Sequence, residues 1–185
     1  FSIPLQAGGG YGTPPQEMVE AYELAEGGFP DWTPWHGTTT QTPPYEKLEP
    51  RFHASILYNG AKWKNRSIEP YVGGADGWCT GNLDREPKGR TTTGYYLREM
   101  VDESHDVIAY TNGVQPMSVI RYAEVLLNKA EACYNTEDIA GANAAVKAIR
   151  DRVNLPYRDK GGKELWNAIR QERKVELAYE GLWYW

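Results

Sequence analysis

No run of apolar residues in this 185-residue chain is long enough to cross a membrane as a helix, which takes roughly 18 or more in succession. The start shows no basic stretch followed by an apolar one, so no secretory leader is read there. A basic excess is also lacking: the formal net charge is -5 and the isoelectric point about 5.3, which gives no electrostatic case for nucleic acid. Histidine is scarce, and His36, His53 and His105 are well separated. With no HExxH, no CxxC and no histidine pair at ligand spacing, neither metal nor cofactor is expected. GxSxG and Walker-type loops are missing too, and Gly8 to Gly10 lack the helix and lysine that a phosphate cradle requires. Of the two cysteines, Cys133 reads as a small core residue. The sequence leaves a Cys79–Cys133 disulfide open.

What is present is concentrated in the last third. SVIRYAEVLLNKAEACYN places Val119, Ala123, Leu126, Leu127, Ala130 and Cys133 on one helical stripe. TEDIAGANAAVKAIRDRV does the same with Ile139, Ala142, Val146, Ile149 and Val153. Only Asn135 and Thr136 intervene, so the pair is expected as an antiparallel helical hairpin. Thr136 is the expected cap of the second helix, Asn154 its left-handed stop, and Pro156 cannot continue it.

A third helix is expected from KELWNAIRQERKVELAYEG, where Leu165, Trp166, Ile169 and Leu177 form a stripe that charged residues interrupt. Glu172, Glu176 and Glu180 stand four apart and would line one helix edge. Like charges at that spacing repel unless cations lie close, and Arg121, Arg150, Arg152 and Arg173 are the candidates. The expectation is a structural ion-pair network. A solvated face and a catalytic carboxylate pair are weaker alternatives, since glycosidase carboxylates face each other across a substrate.

Residues 1–117 read as a loop-rich part and 118–185 as a helical part, with helices over 118–134, 137–153 and 163–180. The loop-rich part should hold one helix near 14–25, opened by Thr13-Pro14-Pro15 and stopped by Gly27-Gly28. A small hairpin is expected around Asn59-Gly60, with Lys62 to Lys64 in its second strand.

Aromatic residues are unevenly placed. The chain has 7 Trp and 13 Tyr against 3 Phe, and Trp32, Trp35, Tyr45, Trp63, Tyr71 and Trp78 fall in Pro- or Gly-rich stretches. Flat apolar faces with a polar handle suit a sugar ring, wet on one side and apolar on the other. Trp32, Trp35, Trp63, Tyr71 and Trp78 are therefore the candidate ligand-binding residues, with Asp31, Asp76, Asn82, Asp84 and Arg85 as nearby polar partners. Anchoring of the loops is the competing role for each tryptophan.

Three blocks carry a specific resemblance: IRYAEVLLNKAEA (120–132), AVKAIRDRVNLP (145–156) and IRQERKVELAYEG (169–181). In order and spacing they resemble the C-terminal signature of SusD/RagB-like proteins. TPPQEMVEAYE (13–23) and EPRFHASILYNGAKW (49–63) also look like segments of that family, whereas Gly73 to Thr93 match no part of its pattern. Trp183 stands where the family often has an arginine, two positions after the Glu-Gly pair. The resemblance implies a mainly α fold: tetratricopeptide-like helical hairpins with long irregular aromatic-rich loops, here a SusD-like fragment. It also implies a surface-exposed lipoprotein of the outer membrane in Bacteroidetes-type bacteria. Such a protein captures an oligosaccharide or other nutrient without catalysis and delivers it to a SusC-like TonB-dependent transporter. The abrupt FSIPLQAGGGYG opening leads us to expect a longer protein whose lipid anchor lies upstream. Two rival readings remain: a helical scaffold binding only a protein partner, and a glycoside hydrolase using two of Glu172, Glu176 and Glu180.

Overall fold

The computed structural model describes residues 12–37, 39–77, 91–104 and 118–182. Among the described residues the α-helices run in order: α1 (Gln16–Val19), α2 (Pro50–Ser55), α3 (Tyr122–Asn135), α4 (Ile139–Arg152) and α5 (Gly162–Glu176). Two-residue strands lie between α2 and α3: β1 (Ile56–Leu57), β2 (Lys62–Trp63), β3 (Arg66–Ser67) and β4 (Tyr96–Leu97). The chain packs as two compact units, one of Phe1–Val19 with His53–Met117, the other of Glu20–Phe52 with Ser118–Trp185. The segment Glu20–Phe52 thus groups with the helices rather than with the loop-rich remainder.

In the helical unit, α3 lies against both α4 and α5. Small residues allow close approach: Ala130, Ala142 and Ala145 join Val146, Leu165 and Ile169 in one buried cluster. Leu127, Ile149 and Leu177 form a second. Each large aliphatic side chain so buried contributes about 1.5–3 kcal/mol. Tyr134 and Trp166 stack beside the first cluster with ring centroids 5.2 Å apart.

Helix ends differ from the sequence reading for identifiable reasons. α3 starts at Tyr122, because Arg121 is extended (φ -128°, ψ 159°) and sends its side chain to the far end of α5. Asp138, not Thr136, caps α4, accepting a hydrogen bond from the Gly141 N–H at 2.9 Å. Thr136 instead closes α3, its hydroxyl donating to the Ala132 carbonyl at 3.0 Å. Asn154 does adopt the left-handed conformation, at φ 57°. α5 stops at Glu176, and positive φ at Tyr179 and Gly181 turns the chain away, so Glu180 lies beyond the helix.

α1 is a single turn rather than a helix to residue 25. After it the chain turns, and Leu24 bridges to Leu48 while Glu49 donates its N–H to the Glu23 carbonyl at 2.9 Å. Gly27 needs to be glycine: its φ is +92°, and an added Cβ would lie 2.7 Å from Cγ of Pro156.

In the other unit β1 pairs antiparallel with β4, and β2 with β3. The hairpin is therefore present, but it turns at Lys64 and Asn65 rather than at Asn59-Gly60. Gly60 and Ala61 nonetheless bond across to Ile68, continuing the ladder outward. Asp76, fully buried, binds the loop together: Arg66 donates to both of its oxygens at 2.6 and 2.5 Å, and the Glu69 N–H donates at 2.9 Å. Tyr96 donates its hydroxyl to the Asp76 carbonyl.

Candidate functional site

The carboxylates of α5 continue its buried stripe. Leu165, Ile169, Glu172, Val175 and Glu176 all face inward, which only paired charges tolerate. Glu172 Oε1 accepts from Arg51 at 2.5 Å and its Oε2 from Arg150 at 3.0 Å. Glu176 accepts from Arg51 at 3.0 Å, Arg121 at 2.7 Å and Arg152 at 2.7 and 2.8 Å. Arg121 reaches on to Glu180 at 2.8 Å and donates to the Glu176 carbonyl. Arg150 also holds Glu23 at 2.8 and 2.9 Å, and Arg51 holds Glu49 at 2.6 Å. Arg173 stands apart, paired with Glu131 at 2.6 Å and Asn128 at 2.6 Å.

Three members of this network are absent from the sequence reading: Glu23, Glu49 and Arg51. They come from the turn after α1 and the start of α2, far from α5 along the chain. Their one sequence signal is that they sit within TPPQEMVEAYE and EPRFHASILYNGAKW.

The electrostatics follow from burial and pairing. Burial would lower the Arg51 pKa, but Glu172 and Glu49 raise it well above an ordinary guanidinium. Arg121 and Arg150 are raised in the same way, by Glu180 and Glu23 respectively and by their other carboxylates. Burial pushes Glu49 above its usual range despite Arg51. For Glu176, burial acts upward but the hydrogen bonds from Arg121 and Arg51 outweigh it, so its pKa is lowered from 4.5.

Stability linked to Glu176 is therefore fully present above pH 4.5 and is lost as pH falls through the lowered folded value. Glu49 acts with the opposite sign, weakening the fold above its raised pKa and ceasing to do so as it protonates. Urea midpoints taken from about pH 6 down to about pH 3 should decline below the ordinary carboxylate value, and Glu176→Gln should flatten that decline.

The candidate ligand aromatics are distributed unevenly in exposure. Trp32 is buried, edge-on to Trp35 at 5.9 Å and tilted against Tyr45 at 6.4 Å. Tyr45 stacks on Phe52 at 5.8 Å, and Phe52 meets Tyr22 edge-on at 5.5 Å. At the outer end of this row Trp35 is half-buried, its indole N–H donating to the Gln41 carbonyl at 3.1 Å. Among the described residues the Trp32 indole N–H meets no acceptor. In the other unit Trp63 is buried beneath the Arg98 guanidinium at 6.0 Å, while Tyr71 is 53% exposed.

Trp35 is thus half-buried and Tyr71 exposed, whereas Trp32 and Trp63 are seated in packing. Trp78 lies outside the described residues, as do Cys79, Asn82, Asp84, Arg85, His105 and Trp183 to Trp185. Of the polar candidates, Asp76 is committed to Arg66. Asp31 is exposed and held below the usual carboxylate range by the Thr33 side chain and N–H. Among the described residues no cluster of metal-ligating side chains occurs, and no helix is long and apolar enough to cross a membrane.

A helical hairpin with a third helix, tied by buried arginine–glutamate pairs, makes a mainly helical fold that matches the SusD-like one. The chain belongs to the SusD family, whose family model matches residues 4–185. That family is generally one of outer-membrane lipoproteins that bind ligands without catalysis. A SusD-like protein of Bacteroides fragilis is 28% identical, with a TM-score of 0.71 over 91% of this chain and 34% of its own. Another from the same organism, described as a SusD-like carbohydrate-binding protein, is also 28% identical, with a TM-score of 0.70 over 93% and 34%. A SusD superfamily protein of Bacteroides vulgatus, 16% identical at a TM-score of 0.55, shares the fold over 93% of this chain and 32% of its own. The chain spans about a third of the length of these solved relatives. No functionally curated protein matches it.

Proposed function

We propose that this chain is part of a non-catalytic glycan-binding lipoprotein of the outer-membrane surface, which delivers oligosaccharide to a SusC-like TonB-dependent transporter. Membership of the SusD family over nearly the whole chain carries the proposal, supported by the carbohydrate-binding description of a 28% identical relative. Trp35 and Tyr71 are the residues to which we assign sugar stacking, with Trp32 backing Trp35. Trp63 and Trp78 remain in the proposed set, Trp63 beneath Arg98. Glu172 and Glu176 serve as structural carboxylates, since their oxygens are occupied by guanidinium groups.

Calorimetric titration of the intact protein with maltose-, cellulose- and xylan-derived oligosaccharides tests this. One class should bind saturably, and Trp35→Ala or Tyr71→Ala should weaken it by about three- to tenfold, the worth of an aromatic contact. Unchanged affinity in a variant would remove its ring from sugar stacking.

One observation favours a protein-only scaffold as the second reading. Val119 and Ile120, which precede α3 rather than extending its buried stripe, and Tyr122, its first residue, are 85%, 70% and 74% exposed, and adjacent exposed apolar side chains mark contact surfaces. That reading predicts no glycan binding at all.

A further inference from the structure

The helical unit contains a groove of about 860 Å³, within the roughly 300–1,000 Å³ common for small-molecule sites. α5 lines it with Glu164, Asn167, Ala168 and Gln171, which share one face at i, i+3, i+4 and i+7. The turn Gly27-Gly28-Phe29 supplies another part, and Arg150 and Tyr157 a third.

The turn is fixed rather than slack. Leu24 donates its N–H to the Gly28 carbonyl at 2.8 Å, and the Gly28 N–H donates to Glu23 at 3.3 Å. Gly27 rests on Pro156. Phe29, which follows, is 54% exposed. Gln171 is also oriented: its amide nitrogen donates to the Ala21 carbonyl at 2.5 Å, leaving the amide oxygen as acceptor. Tyr157 is held by donation to Asn143 at 2.7 Å and by the Arg150 guanidinium 5.7 Å above its ring.

Charge narrows the ligand class. Glu23 and Glu172 are both satisfied by Arg150. The rest of the charged lining, Glu26 and Glu164 against Arg158 and Lys160, balances in sign. Neither an anion nor a cation is favoured. Aromatic faces beside side-chain amides suit a neutral polyhydroxyl compound, whose C–H face stacks and whose hydroxyls both donate and accept.

We propose that this groove, whose lining includes neither Trp32 nor Trp35, is a further carbohydrate-binding site that takes a short neutral oligosaccharide with one ring on Phe29 and hydroxyls on Asn167 and Gln171. It rests on the glycan-binding reading above. Phe29 and Asn167 are exposed, so Phe29→Ala and Asn167→Ala should leave the melting temperature nearly unchanged. Titrating the intact protein and both variants with the same neutral oligosaccharides decides the matter. Two binding events are expected, and the one at the groove should weaken about three- to tenfold in Phe29→Ala and by a smaller factor in Asn167→Ala while the other keeps its affinity. A single binding event that survives both variants but is weakened by Trp35→Ala or Tyr71→Ala would overturn the groove and keep the family function. Absence of binding by the unmodified protein would overturn both.

Discussion

Replacing Arg51 by methionine should destabilise the protein by about 3–5 kcal/mol, the usual cost of removing one partner from a buried charge pair. Arg51 is nearly buried and bonds Glu49, Glu172 and Glu176 at 2.6, 2.5 and 3.0 Å. Glu172 would keep Arg150, and Glu176 would keep Arg121 and Arg152. Glu49, only 1% exposed, would lose the guanidinium that holds it. The loss should read out as a fall in the urea midpoint with little change in slope. It should be partly recovered in an Arg51→Met, Glu49→Leu double variant, because the stranded carboxylate is then gone. A loss under about 1 kcal/mol would place Arg51 among pairs that behave as if exposed.

Ile169→Ala should cost about 2–5 kcal/mol for a different reason. Ile169 is fully buried among Ala130, Ala142, Ala145, Val146 and Leu165. Alanines offer no longer side chain to swing into the vacated space, so the cavity should stay open and the cost should fall in the upper half of that range. Chemical denaturation measures it. A loss near that of methyl deletion alone would mean α5 slides inward to close the gap.

These two sites also mark how far the sequence could be read. Ile169 was visible because helical spacing alone places it with Leu165 on one stripe. The three-helix unit, the left-handed Asn154 and the clustering of Arg121, Arg150 and Arg152 near the α5 carboxylates followed from the same local rules. Arg51 was not visible in this role. Its partners Glu172 and Glu176 lie 121 and 125 residues away, and no periodicity links a short helix after a proline-rich loop to them. Nor could spacing reveal that Arg173 reaches to Glu131 and Asn128 on α3, or that left-handed Tyr179 and Gly181 take Glu180 off the helix. Loop aromatics were identifiable as a class, but their exposure depends on tertiary packing. Trp32 and Trp63 fall inside it, whereas Trp35 and Tyr71 reach its surface. The groove beside Phe29 was unreadable for the same reason, since its walls come from two stretches joined only in the fold.

The clearest single experiment is to incubate the intact protein with the panel of oligosaccharides, measure binding by calorimetry and then analyse the recovered sugars for new reducing ends. A capture protein should give saturable binding to one class and return every chain at its original length. Shorter products, or no binding to any member of the panel, would contradict the assignment.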